Sequence, residues 1–271
     1  MSTRRTSLDR IAAALERIAP ARAEPTDWLA HPAYIWDGER GRPVEAIPTV
    51  GLDRLCGIDG QKAATLTNIK RLASGAAAHD MLLWGARGMG KSALIRACVS
   101  AQPPKALALV QFGAGSLPSF AELVEQLAPL DRAFLLFIDD LGFAPQDSES
   151  NLALRSLLDG GLVARPSRIR LAVTSNRRAI VEREASESEA LHERDERDNA
   201  LALADRFGLT LAFHPCDQAT YLKILRAYTD PLGLDFDDEE ATAWALSRGN
   251  RSGRTAYQFA CELAGRAGLS L

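Results

Sequence analysis

No apolar run in this chain approaches the roughly 18 residues that a membrane-spanning helix requires, so no segment reads as a span. The N-terminus also lacks the uninterrupted apolar stretch of a secretory signal, because Asp9, Arg10, Glu16 and Arg17 break it up. Cysteine is scarce. Cys56, Cys98, Cys216 and Cys261 lie far apart with no C-x-x-C pair, which argues against a disulfide-framed secreted domain and points to buried, reduced thiols in a cytoplasmic protein. His31, His79, His192 and His214 are equally scattered, and no spacing suggests a metal site built from His and Cys. An excess of one charge is missing too: 32 Lys and Arg against 35 Asp and Glu leave a net −3. That balance gives no bulk reason to expect a nucleic-acid binder, while leaving a local basic face open. What is present is 271 residues, 46% of them hydrophobic, enough for one large or two modest domains with a real core.

The pattern along the chain divides it into three. Residues 7–19 place Leu8, Ile11, Ala12, Leu15 and Ile18 on one helical face, to dock on the same chain or on a partner subunit, and Pro20 ends that helix. Residues 20–47 carry four prolines and several charges and read as a linker, with Tyr34-Ile35-Trp36 as an aromatic anchor. From residue 48 the character changes. Apolar runs at Met81–Trp84, Ala106–Phe112, Ala133–Ile138, Ile169–Thr174 and Leu209–Phe213 predict five strands. They alternate with helical patterns near 60–74, 91–101, 118–127 and 152–162. That alternation predicts a three-layer α/β fold whose parallel five-stranded sheet is covered on both faces. Glu182–Asn199 is heavily acidic and reads as a solvated helix or loop. After Pro215 the pattern is all-helical, with helices over 218–229, 237–247 and 253–267. The expected domains are therefore 1–47, 48–214 as the α/β unit, and 215–271 as a small helical lid.

One stretch carries explicit chemistry. Gly85-Ala86-Arg87-Gly88-Met89-Gly90-Lys91-Ser92 fits the phosphate-loop pattern G-x-x-x-x-G-K-[ST] without a mismatch. It sits between a predicted strand and a predicted helix. Glycines there let backbone N–H groups converge on a phosphate, and the helix N-terminus, reached at Ala93, adds partial positive charge. Lys91 would reach the β- and γ-phosphates, and the Ser92 hydroxyl would meet Mg²⁺. The strand Ala133–Ile138 ends in Asp139-Asp140. A carboxylate at that tip can hold Mg²⁺ opposite Ser92, and the next one is placed to orient or deprotonate an attacking water. Asn176 follows the fourth strand, where it could contact the γ-phosphate or that water; taken alone it also fits a turn. Arg206 precedes the fifth strand and by itself is an ordinary surface arginine. Arg251 and Arg254 open the last helix, where the helix dipole disfavours cations and an anionic ligand would offset the cost.

The order and spacing of these features resemble the AAA+ ATPases. Within them the segments Gly85–Ser92, Asp139-Asp140, Thr174-Ser175-Asn176-Arg177-Arg178, Ala204-Asp205-Arg206-Phe207-Gly208 and Arg251-Ser252-Gly253-Arg254 are most similar to the bacterial domain-of-unknown-function 815 family. The resemblance runs from about Leu52 to the C-terminus, and Tyr34-Ile35-Trp36 also suits that family's N-terminal segment. It implies ATP and Mg²⁺ as cofactors and a homo-oligomer with shared sites. Lys91 and Ser92 become the Walker A residues, Asp139 the Walker B magnesium carboxylate, Asp140 the catalytic acid and Asn176 sensor 1. Arg206 becomes an arginine finger acting in trans, and Arg254 sensor 2, with Arg251 as the alternative. Gly57-Ile58 matches the segment that packs on adenine in many relatives. Most AAA+ enzymes have Asp-Glu where this chain has Asp139-Asp140, which implies slow hydrolysis. Only Ala128–Arg132 separates a predicted helix from the Walker B strand, too short a segment for a pore loop that threads polypeptide.

The function these readings imply is ATP hydrolysis coupled to remodelling or loading an unidentified protein or nucleic acid. A nucleotide-gated binding module with little turnover and a P-loop phosphotransferase remain open as alternatives. A GTPase fits less well, since an Asn-Lys-x-Asp segment is missing.

Overall fold

The computed structural model describes residues 25–141, 154, 158, 165–176 and 204–271. The helix expected at 7–19, Arg177-Arg178 and the acidic stretch 182–199 lie outside these residues, as does most of the helix expected at 152–162.

Seven strands form one sheet: β1 (Ala33–Trp36), β2 (Gly41–Val44), β3 (Met81–Gly85), β4 (Leu107–Phe112), β5 (Ala133–Ile138), β6 (Ile169–Ser175) and β7 (Leu209–Phe213). Their spatial order is β2-β1-β4-β5-β6-β3-β7. Every neighbouring pair is parallel except β1 with β2. The helices are α1 (Asp59–Ala73), α2 (Lys91–Ser100), α3 (Phe120–Leu127), α4 (Gln218–Thr229), α5 (Asp238–Ser247) and α6 (Gly253–Arg266).

The continuous apolar runs become strands because both sheet faces are covered. Along β5, Phe134, Leu136 and Ile138 point into one core with Leu82, Val110 and Leu171. The intervening Ala133, Leu135 and Phe137 point into the other, with Met81, Leu83, Leu94 and Ile95. This period-two division places α1 and α2 on one face and α3, with helical Leu154 and Leu158, on the other. Helices α4–α6 close around a third core containing Tyr221, Leu225, Ala245 and Phe259. Each is started by a side chain that accepts orphan N–H groups: Asp217 for α4, Asp237 for α5 and Ser252, through a capping box, for α6.

Two expectations are corrected. The sheet has seven strands rather than five, and residues 33–44 are a hairpin added to its edge rather than a linker. The tight turn Asp37–Arg40 makes the hairpin possible. The Asp37 carboxylate accepts from the N–H groups of Glu39 and Arg40, which hold its pKa down, and Gly38 adopts φ 111°. Pro43 is tolerated because β2 is an edge strand. The anchoring role of the aromatics is real, but it is core packing: Trp28, Tyr34 and Trp36 are all buried beside Phe134. Trp36 Nε1 donates to Ser119 Oγ at 2.8 Å and Trp28 Nε1 to Gln126 at 3.2 Å. Buried Arg132 ties the arrangement together, donating to the carbonyls of Trp28, Pro104 and Leu107. The cysteines are all free thiols, but only Cys98 is fully buried; the other three are half-buried.

Candidate functional site

The site grows out of the junction between β3 and α2. Gly85, with φ 114°, passes so close to β7 that a Cβ there would collide with the Phe213 carbonyl. Gly90, at φ 87°, is the left-handed residue from which α2 departs, so the first N–H groups of the helix face a cleft. That cleft, about 360 Å³, lies between the sheet's carboxyl edge and the helical bundle α4–α6.

Lys91 is the buried centre of this cleft, only 5% exposed. Its Nζ donates to the carbonyls of Gly85 and Ala86, both at 2.9 Å, and to Asn176 Oδ1 at 2.8 Å. Burial pushes its pKa down to about 8, against the pull of the Asp140 and Asp139 carboxylates; Arg254 pushes the same way as burial. Ser92 donates to Asp139 Oδ1 at 2.5 Å, and Thr174 donates to the same oxygen at 2.8 Å. A serine hydroxyl and a half-buried carboxylate at the β5 tip offer hard oxygen donors of the kind Mg²⁺ takes, so the residues present fit that ion.

Asp140 is the only non-glycine residue with positive φ among the described residues, at 56°. Two contacts hold it there. Its N–H donates to Thr174 Oγ1 at 2.8 Å, and its carboxylate accepts from Asn176 Nδ2. Asp and Asn tolerate the left-handed region where longer side chains do not. Asp140→Glu, which restores the more usual Asp-Glu pair, is therefore expected to lower stability by about 1 kcal/mol, while Asp140→Asn is close to neutral. Urea unfolding with an unchanged m-value checks this.

The structure brings most of the residues expected from the sequence into one place. Arg87, Gly88, Met89, Gly90, Lys91, Ser92, Ala93, Ile58, Asp139, Asp140, Asn176 and Arg254 all line the cleft. Gly85 and Ala86 border it through their carbonyls on Lys91. Arg251 is not among the lining residues, whereas Arg254 is, because its own N–H donates to the Gly88 carbonyl at 3.1 Å and pins the start of α6 to the loop. Arg206 is also outside the cleft of its own chain, on an exposed turn before β7.

Sequence reasoning reached the apolar end of the cleft only at Ile58 and missed the rest of it. Val50, Leu55, Cys56 and Ile224 line it, with Arg54 stacked 5.3 Å from the Tyr228 ring and Tyr257 set edge-on to Tyr228 at 5.4 Å. These residues come from three distant segments, and no local pattern marks them. Such an end suits a flat aromatic base, as the loop end suits phosphates.

Solved structures share this architecture at low identity. Orc1 of Aeropyrum pernix, in complex with DNA, aligns with TM-score 0.58 and 16% identity over 82% of this chain and 62% of that one. A singly substituted form of Thermotoga maritima RuvB aligns with TM-score 0.52 and 17% identity over 82% and 67%. The chain thus spans less than two thirds of the length of Orc1. No curated protein matches it. Within the described residues no helix is long and apolar enough to cross a membrane. The fold is that of the AAA+ P-loop ATPases. Residues 29–267 match the family model described as "Protein of unknown function (DUF815)", and the chain belongs to that family.

Proposed function

We propose that this protein binds ATP with Mg²⁺ and hydrolyses it as an AAA+-type ATPase, using the cycle to remodel or load a macromolecule. One observation carries the reading: the Lys91 ammonium, the Ser92–Asp139 pair, the Asp140–Asn176 pair and the Arg254 guanidinium line a single cleft. Each has a task there. Lys91 and Arg254 attract the phosphates, and the N–H groups of the loop and of α2 orient them. Ser92 and Asp139 would hold Mg²⁺, which when bound neutralises charge on the β- and γ-phosphates. Asp140 orients a water and accepts its proton as the water oxygen bonds to the γ-phosphorus and the bond to the ADP oxygen breaks. Asn176 couples the two ends, since its amide donates to Asp140 and its oxygen accepts from Lys91.

The physical substrate is a protein or nucleic acid, and assembly into a homo-oligomer completes each site. A threading pore loop is disfavoured by the connection at 128–132, because Arg132 anchors it to Trp28 and Pro104. Residues 25–47 would then belong to the ATPase body, with residues 215–271 as the lid. The four free thiols support a reducing, cytoplasmic site of action.

The test is Mg²⁺-dependent release of inorganic phosphate from ATP without an acceptor, compared between wild type and Asp140→Asn. Turnover is expected to fall by about 100-fold in the variant, in the range of a lost general base, with ATP affinity kept. The ATP-loaded variant should then retain a partner that the wild type releases. Unchanged turnover in Asp140→Asn would remove Asp140 from its role. Tight ATP binding without turnover in wild type would favour a nucleotide-gated module, and phosphate appearing only with an acceptor would favour a phosphotransferase.

A further inference from the structure

The phosphate loop has a second side. Arg87, Gly88 and Arg254, which line the nucleotide cleft, also line an outer cleft of about 520 Å³ that holds Arg248 as well. No carboxylate from the described residues lines this outer cleft, in a chain whose net charge is −3. Its floor is already satisfied. Ser252 and Thr255 spend their hydroxyls on each other, on the capping box and on the Asn250 carbonyl. The three guanidiniums, with the side-chain amides of Asn250 and Gln258, are therefore the groups left to meet a ligand, and none of the guanidiniums is ion-paired to a described residue. Arg248 is also held in place. Its guanidinium lies 3.8 Å from the centre of the Trp244 ring, which occupies its face and leaves its in-plane N–H donors to an anion. Planar guanidiniums of this kind suit the oxygens of a tetrahedral oxyanion.

We propose that the outer cleft is a holding site for inorganic phosphate, through which the product of hydrolysis leaves. This rests on the ATPase reading of the inner cleft. Arg87 and Arg254 belong to both clefts, so a phosphate passing from the γ-position outward keeps guanidinium contacts throughout and acquires Arg248 at the end. ADP, held by its base and remaining phosphates, stays behind. Arg248 touches only the outer cleft and has no part in the chemistry.

The experiment titrates inorganic phosphate into the full-length protein saturated with ADP and Mg²⁺, followed by calorimetry or ³¹P NMR. Arg248→Gln is expected to bind phosphate about tenfold more weakly, the scale of one charge-assisted hydrogen bond, with ADP affinity unchanged. Product inhibition by phosphate should weaken by the same factor. Arg248→Lys, which keeps the charge without the planar fork, should fall between the two and carries the test if Arg248→Gln folds poorly. Equal phosphate affinity in wild type and both variants would overturn the proposal. So would Arg248-dependent binding of an oligonucleotide duplex without binding of free phosphate. Failure of the ATPase reading looks different: wild type would not bind ADP, while phosphate titrated into the nucleotide-free protein would still report on Arg248.

Discussion

Lys91→Ala is expected to weaken ATP binding by at least about 100-fold and to abolish turnover, because it removes two charge-assisted contacts to the phosphates at once. Lys91 is nearly inaccessible in the free protein, with all three of its N–H donors engaged by Gly85, Ala86 and Asn176. The amine is thus held at the loop before any ligand arrives, and phosphate oxygens take the place of two of these acceptors on binding. The stability of the free protein should change far less than its affinity, since the lost hydrogen bonds are offset by relief from burying a charge. Fluorescent-nucleotide titration and urea unfolding of the same preparations separate the two effects. A pH dependence follows. Burial has lowered the Lys91 pKa to about 8, so the free protein is charged there below pH 8 and loses that charge as pH rises past it. A bound triphosphate favours the charged form. ATP affinity should therefore be level below about pH 8 and decline above it, with a proton taken up on binding. Lys91→Arg, which keeps its charge throughout, should show no such decline. Equal affinity in Lys91→Ala and wild type would remove the loop from the site.

Arg206→Ala should lower turnover by about 10³-fold and leave nucleotide affinity nearly intact, the scale of an arginine finger supplied in trans. Its placement suits that task. Ala204 and Phe207 are both buried and the Phe207 N–H donates to the Ala204 carbonyl at 3.1 Å, which clamps the turn to the core. Between those anchors Arg206 is exposed and outside its own chain's cleft. A residue so placed can act on a neighbour's nucleotide. Turnover per protomer of the wild type should therefore rise with protein concentration, and an inactive Lys91→Ala chain that still carries Arg206 should partly restore Arg206→Ala in a mixture. A turnover per protomer independent of concentration down to the nanomolar range, with Arg206→Ala as active as wild type, would exclude a finger in trans.

Much of the architecture was legible because its signals are local. The strands β3 to β7 are short apolar runs bounded by helical patterns, and the reading located each to within a residue of its observed limits. The phosphate loop needs only eight consecutive residues, and its glycines occupy the backbone geometry that the motif implies. The hairpin was less visible, although Asp37-Gly38 between Trp36 and Gly41 is a turn signal. Four-residue strands with Pro43 in one of them carry too little periodicity to outweigh four prolines.

The sequence alone thus determined that a nucleotide-type loop sits on a parallel sheet with a helical appendage, since β-propensity, helix periodicity and glycine geometry act over a few residues. Only the tertiary structure decided how the parts meet. It set Ser92 on Asp139, bonded Asn176 to both Lys91 and Asp140, and turned Asp140 into the left-handed region. It also turned Arg254 rather than Arg251 toward the loop, and built the apolar end of the cleft from Arg54, Tyr228 and Tyr257. Each of these depends on residues tens to more than a hundred positions apart. Such contacts are set by sheet order and by how the bundle packs on the loop, which no short stretch of sequence encodes.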